Sequence, residues 1–118
     1  MNISTFYNDP NAEEMIVSAT ISNQSEFDYI FASLILSEYK VYVSAYQNAD
    51  NTFCFSPNGS GKIILPQGQE AIIMATAYKD DKPYFCLKKI TISSELDISL
   101  ILKETTSEKL KKKIKRNL

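Results

Sequence analysis

Short apolar segments with a period of two recur along the chain. Met15, Val17, Ala19 and Ile21 share one parity, with Ser18 and Thr20 on the other. Val41, Val43 and Ala45 alternate with Tyr42, Ser44 and Tyr46. Leu96, Ile98, Leu100 and Leu102 alternate with Asp97 and Ser99. Successive side chains of a strand point to opposite faces, so this pattern specifies half-buried β-strands. Shorter or longer strand patterns cover 52–55, 62–65, 70–79 and 84–92. Turn formers separate them at 22–25, 56–61, 66–68, 80–83 and 93–95. In Pro66-Gln67-Gly68, proline suits the first corner and glycine tolerates positive φ. Lys88-Lys89 interrupts its strand as an exposed edge or a bulge would. Seven or eight strands with short turns and no alternating helices predict an antiparallel β-sandwich.

Two segments carry a second periodicity. In 25–39, Phe27, Ile30, Phe31, Leu34 and Ile35 fit a helix, and Ser25 with Asp28 has a capping pattern. Tyr29, Phe31, Ser33 and Ile35 also fit one strand face. The β character of the surroundings favours a strand. At the C-terminus Leu110, Ile114 and Leu118 recur every fourth residue, a narrow apolar stripe, behind a Thr105–Glu108 capping-box spacing. The expected organisation is a polar arm over 1–13, a β-sandwich over 14–104, and a basic amphipathic helix over 105–118. That helix is expected to lay Leu110 and Ile114 against one end of the sandwich.

A chain of 118 residues fits one domain, and a chain near this size buries about two thirds of its unfolded surface. Charge is divided unevenly. Residues 1–102 hold six Lys against twelve acids, a balance of −6, whereas 103–118 hold seven Lys or Arg against two Glu, a balance of +5. The Lys and Arg of the helix, with Lys109, Lys112, Lys113, Lys115 and Arg116 as candidate partner contacts, suit docking on an acidic body of this copy or another. Nucleic acid fits less well, because the body repels phosphates and no aromatic side chains interleave with the lysines. No apolar run reaches the length of a transmembrane helix. No signal peptide is visible in 1–20. Localisation is left open by the sequence: a bacterial periplasm or cell surface is favoured if an export signal was removed, and the cytoplasm otherwise.

The chain has no histidine. That removes the commonest general base, the imidazole metal ligand, and histidine-dependent nucleophilic catalysis. Asp80 and Asp81, adjacent on a turn, point apart and make a poor acid–base pair. The spacing of Asp50, Asp80 and Asp81 fits no calcium loop, and the glycines at 59 and 61 form no phosphate cradle. The expectation is a non-enzyme with no cofactor and no metal. Asn2, Asn23 and Asn58 begin glycosylation triplets of a kind common in Asn- and Ser-rich chains.

One motif appears twice. SAYQNADNTFC at 44–54 and TAYKDDKPYFC at 76–86 share a hydroxyl residue, Ala-Tyr, a polar stretch, and an aromatic-Cys ending at identical spacing. The expected reading is two similar hairpins with loops of equal length. Ala45 and Ala77 turn inward, Tyr46 and Tyr78 outward, and Phe53 and Phe85 return to the core. Cys54 and Cys86 form a disulfide if their strands are neighbours, and otherwise stay thiols. Tyr42, Tyr46 and Tyr78 are candidate ligand contacts for a glycan or small molecule, set against ordinary cross-strand packing.

The stretch 62–78, KIILPQGQEAIIMATAY, resembles the strand-turn-strand core of bacterial carboxypeptidase-regulatory-like domains. These are transthyretin-like or immunoglobulin-like sandwiches. The segment 84–102 is similar to their closing strands. Ala77 stands where the family often has glycine, and no site residue carries over. The resemblance implies a non-catalytic module for protein–protein interaction or structure, of the kind frequent in bacterial cell-envelope or secretion assemblies.

Overall fold

The computed structural model describes residues 10–22, 26–36, 38, 41–47, 52–56, 62–93 and 96–117. The first nine residues of the expected arm, Ser25, Asp50, the turn over 57–61 and the three Asn positions of the glycosylation triplets lie outside them. Ten strands and one helix are formed among the described residues. They are β1 (Ala12–Met15), β2 (Val17–Ile21), β3 (Tyr29–Leu36), β4 (Val41–Gln47), β5 (Phe53–Phe55), β6 (Ile63–Pro66), β7 (Glu70–Lys79), β8 (Lys82–Thr91), β9 (Leu96–Leu100), β10 (Lys103–Glu104) and α1 (Ser107–Asn117). The protein is mainly β with a C-terminal helix, as the alternation predicts.

The strands form an eight-stranded sheet in the order β10-β8-β7-β3-β4-β5-β2-β9, and β1 pairs with β6 in a two-stranded ribbon. All pairings are antiparallel except β2 with β9, which is parallel. β9 and β10 are consecutive in the chain yet occupy opposite ends of the sheet. Leu100 and Lys103 are three residues apart, so at this corner the two ends approach within roughly 11 Å. The sheet therefore curls. β4 is the bend: 41–44 pair with β3 and 45–47 with β5. Inward residues of both halves share one core, including Val17, Leu34, Phe55, Ile73 and Leu100. The alternation over 15–21 predicts one strand, but it is divided: Met15 ends β1 and 17–21 form β2, with a change of partners at Ile16, which is exposed. The arm boundary expected after 13 falls inside β1.

The repeated motif does not give equal hairpins. Lys79 pairs with Lys82, leaving the two-residue turn Asp80-Asp81, whereas Gln47 pairs with Phe53, leaving five residues between. Asp80 and Asp81 have φ of 51° and 65°, the double left-handed geometry of the hairpin turn that matches strand twist. Tyr46 faces Cys54, but Ala75 faces Cys86. The register is displaced by an odd number of residues, which exchanges the faces of the return strand. Phe53 joins the main core, while Phe85 turns to the opposite face. Cys86 packs against the core, and Cys54 shares the face of Tyr46. β7, β3 and β4 separate β8 from β5, so the bridge conceivable for neighbouring strands does not form, and both cysteines are thiols.

The helix position also departs from expectation. Leu110 and Ile114 pack on the outer face of the sheet, against Ile35, Met74, Phe85, Ile72 and Leu87, and not at its end. The buried part of this contact is apolar. The N-cap is Thr106: its Oγ1 accepts from Lys109 N–H at 3.2 Å, and its carbonyl accepts from Leu110 N–H at 2.9 Å. With the start one residue late, Glu108 cannot close the predicted box, but its charge still suits the positive end of the helix.

Candidate binding face

The outer face of β3, β4 and β7 follows from parity. Leu34 and Leu36 point into the core, so Tyr29, Phe31, Ser33 and Ile35 point out. β4 adds Tyr42, Ser44 and Tyr46, and β7 adds Ile72, Met74, Thr76 and Tyr78 on the same face. The helix covers only part of this surface. Ile35 and Met74 are buried beneath it, but Phe31 is 63% exposed, Tyr29 65%, Tyr46 48% and Tyr42 37%. Four aromatic side chains thus stand in solvent on two adjacent strands. Scattered exposed hydrophobes are ordinary, whereas a contiguous apolar patch of aromatics marks an interaction surface.

Where this patch meets the helix there is a groove of about 430 Å³, lined by Phe31, Ser33, Ile35, Tyr42, Met74, Thr76 and Ile114. Its walls are apolar apart from the hydroxyl groups. Lys113 Nζ lies 5.3 Å from the centre of the Phe85 ring, on the β8 side of the helix. Ile114 lies on the other side, toward β3 and β4. At 100° per residue, Lys111 and Lys115 then flank the groove, with Lys112 on the crown of the helix. All are exposed. Acids lie beyond the two ends of the patch. Glu38 and Glu70 are near Ile35, in a smaller pocket with Lys89. Asp28 and Asp80 are at the Tyr29 end, where Asp28 Oδ2 accepts from Asp80 N–H at 3.4 Å and Asp28 N–H donates to the Tyr78 carbonyl at 2.8 Å.

Of the tyrosines expected to contact a ligand, Tyr42 and Tyr46 are brought together on one strand face. Tyr78 shares that face but sits across β3, paired with Tyr29 and half-buried. Phe31 and Tyr29 are the residues that sequence reasoning did not nominate. Their signal was available in the parity of Leu34 and Leu36. The basic residues Lys109, Lys112, Lys113, Lys115 and Arg116 all lie exposed on α1, and Lys113 is engaged with Phe85.

Other chemistry is sparse. Among the described residues, no three His, Cys, Asp or Glu side chains converge on one point. Asp80 and Asp81 are exposed at a hairpin tip. Burial pushes the Cys54 thiol above its ordinary value, the direction that disfavours a nucleophilic thiolate. Among the described residues, no helix is long and apolar enough to cross a membrane. Compared with known proteins, the chain matches no family model, no curated protein and no solved structure.

Proposed function

We propose that the protein is a non-catalytic interaction module whose partner-binding surface is the aromatic outer face of β3 and β4 beside α1. The observation that carries this reading is the exposure of Tyr29, Phe31, Tyr42 and Tyr46 together. Covering the exposed parts of these side chains is worth roughly 25 cal/mol per Å² of apolar area. Aromatic residues are enriched where protein interfaces carry their binding energy. The assembly we propose is a bacterial envelope or secretion-type one. That part rests on the resemblance of 62–78 to modules of such proteins.

The test uses Phe31→Ser and Tyr46→Ser together, with Thr20→Ser as a control at an exposed position on β2. The reading expects the double variant to fold with an unchanged melting midpoint and to lose whatever protein co-purifies from its own cells. Retention of the same partner by a folded double variant would contradict it.

A second reading has its own support. The groove falls in the size range of small-ligand sites and carries the hydroxyls of Ser33, Tyr42 and Thr76. A glycan or similar polar ligand stacking on Tyr42, Tyr46 and Tyr78 would use them. Binding on a glycan array that Tyr46→Ala abolishes would select this reading, and an array without signal would remove it.

A further inference from the structure

We propose that the occupant of the aromatic face is an amphipathic helix of a partner protein, with its acidic residues at mid-flank. This rests on reading that face as the interaction surface, and it adds the shape and charge of what binds. The outer side of β3 and β4 is two strands across. With side chains that is about 10 Å, close to the diameter of one helix. α1 already occupies the neighbouring ground through Leu110 on Ile35, Met74 and Phe85. A second helix laid beside it would complete a helical layer over the sheet. The level from Tyr29 to Ile35 runs roughly 20 Å, which matches about 13 helical residues.

The groove between Ile114 and the sheet supplies the anchor site. A partner Leu or Phe near one end of its apolar stripe would fill the 430 Å³ space bounded by Phe31, Tyr42 and Met74. Further anchors three, four and seven residues along in one direction would lie on Tyr46 and Tyr29, which both stand toward the same end of β3. Charge then fixes the partner's composition. Lys111 and Lys115 border the long side of the site, whereas Asp28 and Asp80 stand beyond one end and Glu38 beyond the other. Acids of the partner therefore belong in the middle of the flank facing α1, and not at its termini. The described helix of a second copy is a poor occupant: it carries Lys109, Lys111, Lys112, Lys113, Lys115 and Arg116, and would bring positive charge against positive charge.

The probe is a pair of synthetic stapled helices with the same apolar stripe. One carries glutamates at mid-flank, and its twin carries lysines at those positions. Each is titrated into the isotope-labelled full chain and followed by amide shifts. The acidic helix should bind about two- to thirtyfold tighter than its twin, the ratio two exposed ion pairs give. Shifts should centre on Phe31, Tyr42 and Ile114. Lys111→Glu with Lys115→Glu, both at exposed positions, should invert the preference, and Phe31→Ala should weaken both peptides. Equal binding of the twins, a preference unchanged by charge reversal, shifts confined to the β8 edge, or no binding of either at millimolar concentration would each overturn the proposal. So would a dimer of the free chain closed through this face. If Phe31→Ser with Tyr46→Ser still releases a natural partner, the interaction face stands and only the acidic helix falls.

Discussion

Leu110→Ala tests how the helix is held. Leu110 is 5% exposed and packs against Ile35, Met74 and Phe85. Shortening Leu to Ala removes about three methylene equivalents, or roughly 2.4 kcal/mol at 0.8 kcal/mol each. A fully enclosed site would add a cavity term near 24 cal/mol per Å³. Here the helix has solvent on its far side and can settle toward the sheet, so that addition is small. The expected loss is about 2–3 kcal/mol. For a chain of this length each kcal/mol moves the midpoint by roughly 3–5 °C, giving a fall of about 6–15 °C. An 11-residue helix is shorter than the ~12–15 residues needed for even marginal independent stability. The helix should therefore lose amide protection in the variant while β7 and β8 keep theirs. Urea titration followed by circular dichroism gives the first number, and hydrogen exchange resolved by residue gives the second. A loss below about 0.5 kcal/mol, with α1 amides as protected as before, would refute the idea that Leu110 anchors the helix.

Three further outcomes follow from single positions. Gly68 has φ of +82°, and a Cβ there would meet nothing within 4 Å; Gly68→Ala should therefore cost about 1 kcal/mol from backbone strain alone, read from the urea midpoint. Asp80→Asn with Asp81→Gly gives the left-handed turn its preferred residues, and should stabilise the β7–β8 hairpin by about 0.5–1 kcal/mol in the same assay. The raised pKa of Cys54 comes from burial, so the unfolded chain gives up this proton at lower pH than the folded chain. The associated stability is complete below the ordinary thiol value of about 8.5 and is lost as pH rises through the folded value. The urea midpoint should fall more steeply above about pH 8.5 in the native sequence than in Cys54→Ala.

The strands were legible wherever one face is buried, because alternation then leaves a record. Val17-Ala19-Ile21 and Ile98-Leu100 are examples, although the alternation continues to Leu102 and β9 ends at Leu100. β3 was legible only through its neighbours, since its residues satisfy both periods. The repeat misled because register is set by turn length, and 47–53 and 79–82 close on different numbers of residues despite identical spacing. An odd displacement then sent Phe85 to the opposite face from Phe53. That exchange, invisible in the sequence, creates the apolar seat for Leu110 and so decides where the helix lies. Leu110 and Ile114 announced a docked helix but carried no information about its seat. Tyr42 and Tyr46, four residues apart on a strand, were readable as one face. Phe31 fits both the helical and the strand pattern of 25–39, and only the parity of Leu34 places it outside.

The most direct measurement is photo-crosslinking from the face itself. A benzophenone amino acid replaces Phe31 in one variant and Thr20 in another, and each is irradiated in the protein's own cells. The account predicts one discrete adduct from position 31, lost when Tyr42 and Ile114 are also changed to serine, and none of that size from position 20. The same adducts from both positions, or none from position 31 in a folded and abundant protein, would contradict the claim that this aromatic face is where the molecule binds.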